Sequence, residues 1–153
     1  MNPSRRTFLK GAAGTAMVAT AAGLLPSGVL AAEWNKPAFE AKNLNDALKG
    51  IGASGAAPSK DIVLKAPDIA ENGAVVQVEV ISNIPGTQSI AILVEGNNNP
   101  LAASFNFANG AEGYVSTRIK MGKTSNVKVV VKAGDKFYTA SKEVKVTIGG
   151  CGG

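Results

Sequence analysis

The 153-residue chain has no histidine and a single cysteine, Cys151. Without histidine there is no Ser/His or Cys/His catalytic pair and no imidazole ligand for zinc. With one cysteine there is no internal disulfide, no Cys-x-x-Cys zinc ribbon and no Cys-x-x-Cys-His haem attachment. Aromatic residues are only 5% of the chain and the basic residues are spread singly, so the basic stripe and stacking rings of a nucleic-acid binder are missing. The charge-free run from Gly11 to Leu25 is made mostly of Ala and Gly. It falls short of the roughly 20 strongly apolar residues that span a bilayer. No metal, no cofactor and no nucleic-acid partner is expected.

The N-terminal segment reads as an address. Ser4-Arg5-Arg6-Thr7-Phe8-Leu9-Lys10 sets two arginines before Phe-Leu-Lys, and the apolar run follows. This is the layout of a twin-arginine export signal. Pro26, Ser27 and Gly28 break the run, and Val29-Leu30-Ala31 supplies small residues for cleavage after Ala31 or Ala32. Residues 1–32 are thus expected to be a cleaved signal, leaving a periplasmic protein with no membrane attachment. Cleavage removes Arg5, Arg6 and Lys10 and no acidic residue. The net charge of +5 then falls to +2, 13 Lys and Arg against 11 Asp and Glu.

Residues 33–60 read as a lead-in with one short helix. Leu44, Ala47, Leu48 and Ile51 fall at i, i+3, i+4 and i+7, Asn43 can cap the start, and Gly50 and Gly52 end it. The simplest role for this helix is to cover one end of the main domain, and residues 52–58 read as a linker. From Asp61 the pattern turns to period two. Strands are expected at 62–65, 74–82, 89–95, 101–107, 113–121, 126–133 and 137–148, the last as one long strand or two. Leu101, Ala103, Phe105 and Phe107 are expected on a common side, with Val144, Val146 and Ile148 facing inward. Most strands have one polar face, which argues for an all-β fold over 61–148, an immunoglobulin-like antiparallel β-sandwich without the Cys-Trp-Cys core of antibody domains.

Strand 89–95 departs from this rule: Ile90, Ile92 and Val94 point one way and Ala91 and Leu93 the other. Either it is a central strand covered by a loop or the helix, or part of its sheet is buried by a partner chain. Lysines such as Lys120 and Lys123 raise a second pair of alternatives: they attract anions, or they simply keep the domain soluble.

Residues 149–153, Gly149-Gly150-Cys151-Gly152-Gly153, follow the last strand. Glycine lacks a Cβ and packs poorly, so the segment is expected to be a flexible arm. Three residues beyond Ile148, the thiol can reach roughly 10 Å past the domain edge at about 3.3 to 3.6 Å per residue. No base or orienting group accompanies it, so catalysis in place is disfavoured. The arrangement suits a handle carried between enzymes. Two other readings stand beside it: an incidental cysteine on a frayed end, and a structural sandwich cross-linked through an intermolecular disulfide. A prenylation box would need the cysteine fourth from the end, and Cys151 is third.

The twin-arginine leader, Ile69-Ala70-Glu71-Asn72-Gly73-Ala74-Val75, Ser116-Thr117-Arg118-Ile119-Lys120-Met121 and Val146-Thr147-Ile148-Gly149-Gly150-Cys151-Gly152-Gly153 together resemble the SoxY family, carrier subunits of the bacterial thiosulfate-oxidising Sox system. The resemblance implies a non-enzymatic carrier with a sandwich fold and a heterodimer with a SoxZ-like subunit. It implies that Cys151 bears the substrate covalently. A SoxAX-type cytochrome would join thiosulfate to that cysteine, a SoxB-type hydrolase would release sulfate, and a SoxCD-type dehydrogenase, where present, would oxidise the remaining sulfane sulfur.

Overall fold

A computed structural model describes residues 34–108 and 110–149. Two helices come first, α1 (Lys36–Glu40) and α2 (Leu44–Gly50). Nine strands follow among the described residues: β1 (Ala57–Pro58), β2 (Ile62–Lys65), β3 (Ile69–Ala70), β4 (Val76–Ser82), β5 (Thr87–Val94), β6 (Leu101–Asn106), β7 (Tyr114–Ile119), β8 (Ser125–Ala133) and β9 (Lys136–Val146). One sheet runs β1-β9-β8-β5-β6, with β3 also paired to β9; the other runs β2-β4-β7. The seven longer strands pair antiparallel, and the two sheets pack as an immunoglobulin-like β-sandwich, the architecture expected from the alternation.

The alternating valines make the core. Val76, Val78 and Val80 of β4 and Val115 and Ile119 of β7 meet Ile90, Ile92, Val94, Val127, Val129, Val131 and Val144 from the larger sheet, with Met121 sealing one end. Each such side chain contributes about 1.5 to 3 kcal/mol when removed from water. The β8–β9 hairpin turns at Gly134, whose φ of +60° lies in the left-handed region, where a Cβ is penalised.

The other face of the larger sheet is covered by this chain's own N-terminal segment. Ala91, Leu93, Leu101 and Val130 pack under Ala38, Ala47 and Ala53, with Phe39, Leu44, Leu48 and Ile51 around them. The doubly apolar strand is therefore central and roofed by helices; the alternative of a partner chain on this face is not needed for Leu93, which has no exposed surface. Two helices form the roof where one was expected. Asn35 caps α1 by accepting from the Ala38 amide at 3.2 Å, and its amide group donates to the Gly50 carbonyl at 2.9 Å, joining the start of α1 to the end of α2. Asn43 caps α2 as anticipated, accepting from the Asp46 amide at 2.9 Å. A Cβ on Gly50 would stand 2.7 Å from the Ala38 Cα, so the two helices touch through backbone.

Three expectations need correction. Leu101 does not share a side with Phe105: the β5–β6 register shifts between Ile92 and Leu93, so Ile92 faces Ala103 while Leu93 faces Leu101. This bulge turns Leu101 toward the helices and leaves Phe105 and Phe107 against the sandwich core. Ile148 is 68% exposed rather than inward, because β9 ends at Val146. Ala57 and Pro58, read as linker, pair parallel with Tyr138 and Thr139, and Ile69 and Ala70 pair with Lys145 and Val146.

Candidate functional site

The fold delivers the C-terminal strand to one end of the sandwich and holds it there. The Thr124 hydroxyl accepts from the Val146 amide at 2.8 Å. Thr147 is held twice, its amide donating to the Ala70 carbonyl at 3.1 Å and its hydroxyl to the Glu71 carbonyl at 2.9 Å. The Gly73 amide donates to the Ile148 carbonyl at 2.8 Å, and the Gly73 carbonyl accepts from the Met121 amide at 2.7 Å. Gly149, the last described residue, lies against the next turn: a Cβ there would stand 2.5 Å from the Gly122 carbonyl oxygen. Glycine at 149 thus has a steric reason in addition to the conformational one. Gly150, Cys151, Gly152 and Gly153, and Arg5 and Arg6 of the expected export signal, lie outside the described residues.

Beside Gly149 opens a cleft of about 360 Å³ lined by residues 96–99, Lys120, Gly122 and Lys123. Asn97 clamps its two lips together. Its amide group donates to the Lys120 carbonyl at 2.7 Å, and its carbonyl oxygen accepts from the Gly122 amide at 2.9 Å. Asn99 reaches the other way, donating to the Phe39 carbonyl at 3.0 Å and accepting from Lys42 Nζ at 3.2 Å. The nearest acid in sequence, Glu95, is already engaged by Lys128 at 3.1 Å and by Asn126 at 3.1 Å. Partial burial pushes its carboxyl up, but these two hydrogen bonds and the Lys128 charge outweigh it and hold the group below its ordinary range.

Sequence reasoning singled out Gly149, Lys120 and Lys123 but not Gly73, Asn97, Gly122, Thr124 or Thr147. Gly73 and Thr147 stand in the sequence only within the segments that carry the family resemblance, and Asn97, Gly122 and Thr124 only in turn-forming stretches; neither signal reveals which distant carbonyl or amide a residue will meet. Among the described residues, no three His, Cys, Asp or Glu side chains gather as a metal site.

Several comparisons place this arrangement among known proteins. The family model for the sulfur oxidation protein SoxY matches residues 49–151. The solved structure of the sulfur carrier protein SoxY from Chlorobium limicola f thiosulfatophilum is 46% identical, with a TM-score of 0.62, covering 69% of this chain and 97% of that one. A chain from a structure of T cell activation by the bacterial superantigen toxic shock syndrome toxin-1 covers 56% of this chain and 98% of its own at 12% identity. Its TM-score of 0.41 is too low to define a shared fold. No curated protein matches the chain. The family match spans the sandwich from the last residues of α2 to Cys151, and the chain belongs to the SoxY family of sulfur oxidation proteins.

Proposed function

We propose that the protein is an exported, non-enzymatic carrier that holds thiosulfate-derived sulfur covalently on Cys151 in the periplasm and presents it to separate enzymes. The observation that carries this reading is the family match running to residue 151, where the chain has its one thiol. Supporting it, the strand that precedes the thiol is pinned through Ile148, and Gly149 is exposed at the domain's end. A fixed root and a short glycine tether are what a handle shared by several active sites requires.

The chemistry balances. A Cys151 thiolate and thiosulfate join through a new S–S bond with loss of two electrons to an acceptor, a role that suits a SoxAX-type cytochrome. Water then attacks the terminal sulfonate sulfur, releasing sulfate and two protons and leaving a cysteine persulfide, as a SoxB-type hydrolase would do. The remaining sulfane sulfur is the substrate for a SoxCD-type dehydrogenase where one accompanies the system. Such species persist on a thiol yet stay open to attack at sulfur. A SoxZ-like subunit completes the proposed heterodimer. The twin-arginine route handles folded cargo, so this chain folds first and brings a partner lacking its own signal through the membrane.

Intact mass spectrometry after exposure to thiosulfate and extract of a thiosulfate-oxidising cell tests the assignment. Reductant-labile adducts of thiosulfate and sulfane mass on Cys151 are expected, and none on Cys151→Ser. A disulfide dimer as the sole product would favour the structural cross-linking module instead. The Cys151→Ser chain should melt at the wild-type temperature, and a marked loss of stability would contradict a thiol that stands outside the core.

A further inference from the structure

We propose that Asn72-Gly73 is a self-modification site latched by the end of the C-terminal strand: the hydrogen bond from the Gly73 amide to the Ile148 carbonyl withholds the backbone nitrogen that would otherwise close a succinimide on the Asn72 side chain. Asparagine is thermolabile, most of all before glycine, whose missing Cβ lets the following nitrogen approach. The Gly73 nitrogen gives up its proton and attacks Asn72 Cγ; the new N–C bond forms as the bond from Cγ to Nδ2 breaks, and ammonia leaves. Water then opens the ring to aspartate or isoaspartate. The sum is an amide and water giving a carboxylate and ammonium, with no oxidant or reductant.

The two halves of this reaction are treated oppositely by the fold. Asn72 is exposed, while Gly73 is buried. The Ala74 amide donates to Asn72 Oδ1 at 2.8 Å, which polarises the side-chain carbonyl and would stabilise the oxyanion formed on attack. The electrophile is therefore primed and open to solvent. The nucleophile is held: the Gly73 amide donates to the Ile148 carbonyl at 2.8 Å, and the Gly73 carbonyl accepts from the Met121 amide at 2.7 Å. On either side of this contact, Thr147 fixes the Ala70 and Glu71 carbonyls at 3.1 and 2.9 Å. Modification must wait until the root of the C-terminal segment opens. The proton that has to leave Gly73 is also the one read by hydrogen exchange, so both processes pass through the same local opening. An isoaspartyl product routes the backbone through the former side chain and adds one carbon before Gly73. Gly73 then loses its register with Ile148 and Met121, and a transient opening becomes a lasting one.

Ageing the mature chain at mildly alkaline pH tests this, with glutamyl endopeptidase mapping to separate residue 72 from the second Asn-Gly pair at 109–110. Conversion at Asn72 should run on the order of a hundredfold slower in the folded chain than in urea, since opening breaks two or three hydrogen bonds. Thr147→Val removes the hydroxyl bond to Glu71 and should speed both Asn72 conversion and Gly73 amide exchange by the same factor, about fivefold for one hydrogen bond. Asn72→Ser, which still offers an oxygen to the Ala74 amide but has no amide to cyclise, should form no isoaspartate at 72. Asn72→Asp supplies the charge without the added carbon and should keep Gly73 protected, whereas the isoaspartyl chain should lose that protection. Equal conversion in folded and urea-unfolded chains would overturn the latch. So would a Thr147→Val chain in which neither rate moves, or in which the Gly73 amide exchanges faster while Asn72 converts at the wild-type rate. An isoaspartyl chain with wild-type protection at Gly73 would refute the lasting opening.

Discussion

Adding one methyl group at Gly149 tests whether the root of the C-terminal segment is as closely seated as its contacts imply. The new Cβ would stand 2.5 Å from the Gly122 carbonyl oxygen, where real Cβ atoms essentially never approach within 3.0 Å. Neither neighbour is a flexible side chain, so one backbone must retreat by about half an ångström or more. The nearest bond available to give way is that of the Gly73 amide to the Ile148 carbonyl. A lost hydrogen bond of this kind costs about 1 kcal/mol. For an ordered domain of roughly 115 residues, unfolding entropy near 2.1 cal/mol/K per residue converts this into a fall in Tm of about 4 °C. Thermal denaturation of Gly149→Ala reads the shift, and hydrogen exchange locates it at the Gly73 amide. A variant with wild-type Tm and an equally protected Gly73 amide would refute the close approach and leave flexibility as the sole reason for glycine at 149.

Leu93→Ala should cost about 2 to 5 kcal/mol in urea unfolding of the isolated chain, as for a fully enclosed leucine; a loss below about 0.5 kcal/mol, the surface range, would mean that the helices do not roof this face. Glu95→Gln should flatten the acid limb of stability. The folded carboxyl titrates below its ordinary value of 4.5, so its contribution is full above the unfolded pKa and is lost as pH falls through the folded one; identical acid limbs in variant and wild type would reject the Glu95–Lys128–Asn126 linkage. The proposed export route predicts that replacing Arg5 and Arg6 by Lys strands both this protein and the proposed partner subunit in the cytoplasm, read by cell fractionation, and normal periplasmic arrival of that subunit would dispose of carriage through the route.

Much of the sandwich is legible along the chain because its strands bury one face and wet the other. Val76, Val78 and Val80 alternate with Gln77 and Glu79, and the structure buries the valines. The α2 helix is equally plain, since Asn43 and a 3.6-residue stripe announce it. Helix α1 has five residues, too few for a periodic signal, and owes its place to Asn35, Gly50 and the apolar roof. Strands β1 and β3 have two residues each and no period at all. At the candidate site, the terminal glycines and the lone thiol are visible in the sequence, while the seating of Gly149 on Gly122 and the Asn97 clamp join residues 23 or more positions apart.

Local chemistry alone therefore determined the β-class, the inward valines, the capped α2 helix and the isolation of a single thiol in a glycine-rich terminus, because side-chain alternation, capping and the absence of other nucleophile partners are properties of neighbouring residues. Tertiary structure decided which cover lies on the second face of β5, where the β5–β6 bulge reverses Leu101, and which turns meet at the root of the C-terminal segment. Those outcomes depend on register and on contacts between distant turns, and a one-residue slip in pairing would exchange the two faces of a strand.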